Sequence, residues 1–248
     1  MLKPVRPAIK RPTPMPKPEF WIIAGPNGAG KTTTVSYPPY QKALSHCEFI
    51  NPDAVTLGFL NQLGYPTWES VPPDLLNDTF IRAANQCEAH IMQRIEAGAA
   101  IAVETVLSTK KYCAMVERVL QIGGDFFLVY VALHSPQLSA LRVDHRVKTG
   151  GHGVPAEKLE PRWKASLALL PWFALRATSF WIVDNSDTVL GKPGSLMISG
   201  MQQRVVLHGV PAEPMRAIVG KFIKDFDSLD QDRRWRLDID NHYIQLAN

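Results

Sequence analysis

The chain has 248 residues, 46% hydrophobic and 20% charged, with a formal net charge of +4. That size allows one main domain with appendages. No run of eighteen apolar residues occurs, and the first residues lack the apolar stretch of a signal peptide, so a soluble cytoplasmic protein without membrane association is expected. Lys3, Arg6, Lys10, Arg11 and Lys17 all lie in the first eighteen residues, and without them 22 basic side chains face 23 acidic ones. A near-neutral body argues against a nucleic-acid partner. Cys47, Cys87 and Cys113 match neither a zinc knuckle nor a CxxC pair; His46 beside Cys47 has no second ligand pair after it, and no structural metal is expected.

In chain order, six prolines from Pro4 to Pro18 forbid helix and predict an extended, disordered tail over residues 1–18. Residues 20–24 are an apolar run ending at glycine, the pattern of a central strand covered on both faces. A helix begins near Gly30, residues 47–50 form a second strand, and Asn51-Pro52-Asp53 ends it. A long helix opens at Pro72-Pro73-Asp74 and reaches residue 97, with Leu76, Phe80, Ala83, Cys87, Ile91 and Ile95 as its core stripe. A third strand covers 99–103, a helix 110–122 and a fourth strand 125–133. Helices over 136–148 and 157–170 and a fifth strand over 179–183 complete the alternation. It predicts an α/β fold with a parallel sheet and helices on both faces. Short strand-like runs at 196–198 and 205–208 and a helix over 213–226 read as an edge hairpin and closing helix. The expected organisation is a tail over 1–18, a main domain over 19–190 with a lid near 142–163, and an extension over 191–248.

Gly25, Pro26, Asn27, Gly28, Ala29, Gly30, Lys31 and Thr32 fit GxxxxGK[ST] between a strand and a helix, and Thr33 follows. Small residues let backbone N–H groups surround phosphate, Lys31 reaches the β- and γ-phosphates, and the Thr32 hydroxyl suits magnesium. ATP and Mg2+ are therefore the expected ligands, and an ATP-dependent phosphotransferase the expected class. The loop alone does not separate kinases from GTPases, motors or nucleotide-dependent binding modules. No N/TKxD base-reading element occurs, and Glu104 is the only acid placed like that of a motor ATPase.

Asp53 stands at the end of the second strand, where a carboxylate can accept the proton of an acceptor hydroxyl or simply cap the next helix. Glu104 and Thr105 follow the third strand at the same sheet edge, as candidates to hold the acceptor or water around the metal. Arg142, Arg146 and Arg162 flank Gly150-Gly151-His152-Gly153, a hinged segment able to close over phosphate.

The ordered motifs GPNGAGKTT, NPD, ETVLST, RVDHRVKTGGHGVP, RWKASL and DNS, spanning 20–187, resemble the zeta toxin family of bacterial kinases. The resemblance implies an adenylate-kinase-like P-loop fold. It also implies a toxin that phosphorylates a sugar nucleotide, UDP-N-acetylglucosamine in the better-known members, with an antitoxin as a candidate partner. By motif, Lys31 and Thr32 become nucleotide and magnesium residues, Asp53 the general base and Glu104 an acceptor-site residue. Arg142 and Arg162 become the phosphate clamp, with Arg146 competing. Thr105-Val106-Leu107 does not reproduce the glycine-containing segment of the prototype toxins, so their sugar-nucleotide contacts do not transfer; the chain resembles the shorter branch with the Gly-Gly-His lid. A polynucleotide-end kinase is the remaining alternative, which the near-neutral body disfavours.

Overall fold

A computed structural model describes residues 16–68, 70–151, 153–187 and 194–238. Most of the proline-rich tail, and His152 of the lid motif, lie outside the described residues. The elements in chain order are β1 (Glu19–Ala24), α1 (Lys31–Val35), α2 (Pro38–Leu44), β2 (Glu48–Ile50), α3 (Pro52–Gln62), α4 (Pro73–Glu96), β3 (Ala100–Thr105), α5 (Cys113–Gln121) and β4 (Asp125–Ala132). They continue with α6 (Pro136–Lys148), α7 (Ala156–Arg176), β5 (Ser179–Asp184), β6 (Ser195–Met201), β7 (Arg204–Leu207), α8 (Met215–Leu229) and β8 (Arg236–Asp238).

The strands form one sheet in the order β2-β3-β1-β4-β5-β6-β7-β8. The first five are parallel, as their helical crossovers require. β6 and β7 join antiparallel, and β8 pairs parallel with β7. β1 and β4 sit centrally, and their apolar runs are buried on both faces. One face carries Phe20, Ile22, Val103, Phe126, Leu128 and Phe180 under α4, α5, α7 and α8. The other carries Trp21, Ile23, Ala102 and Val129, covered by Val35, Tyr40, Ala43 and Leu44 of α1 and α2. The alternation along each strand thus sends one set of side chains to α4, α5, α7 and α8 and the other to the two short helices α1 and α2.

Several expected bounds shift. Glu104 and Thr105 belong to β3, opposite Ile23 and Ala24 of β1, rather than following the strand. α7 runs through Pro171 to Arg176, past the expected stop at 170. The buried stripe of α4 is Thr79, Ala83, Cys87, Ile91 and Ile95. Leu76 and Phe80 are only half-buried, and Phe80 stacks on Trp68 with ring centroids 5.6 Å apart. α2, α3 and β8 arise where no element was expected. Among the described residues, no helix is long and apolar enough to cross a membrane.

Candidate active site

β1 delivers its C-terminal end straight into the glycine loop. Gly25, Gly28 and Gly30 have φ of 143°, 73° and 81°, which a side chain rarely tolerates. Space is absent as well: a Cβ at Gly25 would stand 2.2 Å from the Val131 carbonyl oxygen, and one at Gly30 2.5 Å from Asn185 Nδ2. The loop is fixed from outside, since Ser139 Oγ of α6 donates to the Asn27 carbonyl at 2.6 Å and Asn185 Nδ2 to the Ala29 carbonyl at 2.8 Å. Neither Ser139 nor Asn185 was singled out in the sequence reading; the position of Asn185 just beyond β5, inside the DNS motif, was the available signal.

α1 begins at Lys31, with Gly30 as its N-cap. Lys31 is buried, and its Nζ donates to the carbonyls of Gly25 at 3.0 Å and Pro26 at 3.1 Å. Burial pushes its pKa below the ordinary lysine value; Glu104 and Asp53 oppose this, while the like charge of Arg146 adds to it. Thr32 Oγ1 donates to Glu104 Oε2 at 2.8 Å, and this link joins the loop to β3. Thr33 is exposed.

Beside the loop lies a cleft of about 220 Å³, lined chiefly by Asn27, Lys31, Asp53, Glu104, Thr105 and Arg146. Asp53 enters it from the first turn of α3. Asn51 caps that helix, its Oδ1 accepting from the Asp53 and Ala54 amides at 3.0 and 3.4 Å, so the Asp53 carboxylate is not the cap. Thr105 is less available: its Oγ1 accepts from the amide of Leu107 at 3.2 Å, which holds Leu107 at φ 60°. Lys111 also lines the cleft but pairs with Glu88 at 3.0 Å.

The three arginines separate. Arg146, in the last turn of α6, lines the cleft, and among the described residues its Nε is buried without a hydrogen-bond partner, as is Asn27 Oδ1. Arg142 lies one turn earlier against Gly28, and its Nη2 donates to the Asp187 carbonyl at 2.9 Å. Its guanidinium pKa is lowered by burial, against the pull of Asp184 and Asp187. Arg162 is half-buried on α7 and does not line the cleft. The glycine pair ends α6: Gly150 N donates to Val147 O at 3.0 Å and Gly151 N to Arg146 O at 2.9 Å, the two bonds of a Schellman cap. A Cβ at Gly151 would stand 2.6 Å from Arg146 Cγ, so the bare glycine leaves room for the arginine stem. α7 is tied down by Trp163 Nε1 to Leu133 O at 3.0 Å and by Ser166 Oγ to Val106 O at 2.6 Å, with the Tyr130 hydroxyl 2.9 Å from Ser166 Oγ.

A family model for zeta toxin matches residues 6–190. No curated protein sequence matches the chain significantly. Among solved structures, the crystal structure of AvrRxo1-ORF1:-ORF2 with ATP is similar with a TM-score of 0.61 at 12% identity, covering 87% of this chain and 76% of that one. The native form of that complex gives a TM-score of 0.59 at 14% identity, covering 94% and 75%. A structure of the PezAT toxin–antitoxin system of Streptococcus pneumoniae gives 0.49 at 14% identity, covering 90% of both chains. At these identities the first two likenesses show a shared fold.

Proposed function

This chain belongs to the zeta toxin family of ATP-dependent phosphotransferases, and from that premise we propose that it transfers the γ-phosphate of ATP to a hydroxyl of a sugar nucleotide such as UDP-N-acetylglucosamine. The observation that carries the reading is the polar cleft in which Asp53, Glu104 and Arg146 meet Lys31 at the mouth of the glycine loop. Loop amides and Lys31 hold the β- and γ-phosphates, which replace the carbonyls that Lys31 otherwise bonds.

Asp53 accepts the proton of the acceptor hydroxyl. The acceptor oxygen then bonds to the γ-phosphorus as the bond from that phosphorus to the β,γ-bridging oxygen breaks, and ADP leaves. Arg146 supplies a planar donor fork to the transferring phosphoryl group, which its unpartnered Nε fits. Arg142, bonded to Asp187 O beyond β5, steadies the loop around the rest of the nucleotide. Arg162 acts only if closure of the segment between α6 and α7 brings it to the phosphates.

Thr32 Oγ1 and Glu104 Oε2, two hard oxygen donors 2.8 Å apart beside the loop, fit magnesium. When bound there, the ion supplies charge neutralisation across the β- and γ-phosphates. A toxic effect on the host and an antitoxin that restrains it belong to the same reading. Mass spectrometry of a metabolite extract incubated with the protein and ATP tests it. A sugar nucleotide heavier by one phosphoryl group, absent with Asp53→Asn, is the expected product; phosphorylation of nucleic-acid ends alone overturns the acceptor assignment.

A further inference from the structure

Among the described residues, one group of metal-ligating side chains lies away from the cleft, near the start of β1. Glu19 opens β1, while His46 and Cys47 form the turn between α2 and β2. Glu19 Oε2 lies 2.8 Å from His46 Nε2, Cys47 Sγ lies 3.9 Å from the same nitrogen, and all three donor atoms fall within 4.8 Å of one another. Ligand atoms around a tetrahedral ion with bonds of about 2.0–2.3 Å stand roughly 3.3–3.8 Å apart, so small rotations bring this trio to coordinating distances. The third donor comes from 27 residues away, and for that reason no ligand spacing is visible along the chain. Trp21 Nε1 donates to Glu19 Oε2 at 3.4 Å, an outer contact of the kind that orients a ligating carboxylate.

We propose that Glu19, His46 and Cys47 form a binding site for a zinc-class divalent cation, with water completing the coordination. One oxygen, one imidazole nitrogen and one sulfur make a borderline-soft donor set, which suits zinc better than magnesium or calcium. On binding, the Cys47 S–H bond breaks, its proton passes to solvent and the sulfur bonds the metal. Without the ion that thiol holds its proton tightly, pushed up to about 12 by burial and by the nearby Glu19 charge. The ion would pin the root of β2 to β1, and β2 leads directly to Asn51 and Asp53. The site shares no residue with the catalytic cleft, so it stands or falls independently of the proposed reaction.

Titration of the full chain with cobalt(II) as a spectroscopic probe tests it. A thiolate-to-cobalt charge-transfer band saturating at one ion per chain, displaced by zinc, is expected. Cys47→Ser should abolish the band, His46→Ala and Glu19→Gln should weaken binding at least about tenfold, and Lys31→Ala should leave it unchanged. Zinc should raise the melting temperature of the parent but not of Cys47→Ser. No band, a band that survives Cys47→Ser, or parental affinity in either His46→Ala or Glu19→Gln overturns the three-ligand site.

Discussion

Replacing Arg146 with alanine should cut kcat by about 10³ while changing the KM for ATP little, because a lid-type arginine acts mainly on charge that develops during transfer. That factor corresponds to about 4 kcal/mol of transition-state stabilisation. The small KM effect follows from two opposed consequences. The nucleotide loses one cationic contact, but Lys31 loses a like-charged neighbour that lowers its pKa and so holds its proton more firmly. Arg142→Ala should behave differently. It removes the bond to the Asp187 carbonyl, of order 1 kcal/mol, and should raise the KM for ATP several-fold with kcat nearly intact. Arg146→Lys should not rescue turnover, since an ammonium lacks the fork. Steady-state kinetics on purified variants with the acceptor in excess decide the matter. A dead Arg142→Ala beside an active Arg146→Ala would refute the assignment and return the clamp to the residue one turn earlier.

Lys31→Ala should lower ATP affinity by orders of magnitude by calorimetry while the melting temperature of the unliganded protein changes by only a few degrees, since two lost hydrogen bonds are offset by removing a buried charge. Asp53→Asn should abolish transfer yet bind ATP like the parent, because Asn51 caps α3 and the fold does not need the carboxylate. Gly151→Ala should lower kcat by displacing the Arg146 stem, with a melting shift of only a few degrees; parental kcat would show that the stem has room. The pH dependence follows from Lys31, whose pKa lies below 10.5 in the free protein. Phosphate favours the charged amine, so ATP binding takes up a proton between the lowered and the ordinary value. Affinity falls as pH rises through the lowered one, and binding heats in buffers of different ionisation enthalpy measure the uptake.

The glycine loop was legible in the sequence because its constraints are local: bare backbone, a lysine and a hydroxyl at fixed spacing. The parallel sheet was legible because β1 and β4 are buried on both faces and read as unbroken apolar runs. α3 was not, since only Thr56 and Leu60 of its eleven residues are buried, with Gly58 between them, and no stripe shows. α7 hid its length behind Pro171, a helix breaker by propensity that buried neighbours such as Leu170 and Phe173 keep within the helix. β8 is three residues long, and much of its placement rests on Trp235, which packs on Phe180 and Phe226 and donates to Leu175 O at 3.1 Å. Which of Arg142, Arg146 and Arg162 lines the cleft was illegible for a different reason. It depends on which helical face meets the cleft, and spacing alone could not orient α6.

Of the two helices around the glycine segment, α6 is bonded near its start, through Ser139, to the loop itself, and α7 near its middle, through Trp163 and Ser166, to Leu133 and Val106. Because the Asn27 carbonyl is bonded to Ser139 in the first turn of α6, the glycine loop and the helix whose last turn carries Arg146 form one connected unit. On the proposed reading, phosphate held in the loop and the placement of Arg146 are coupled through that bond and that helix.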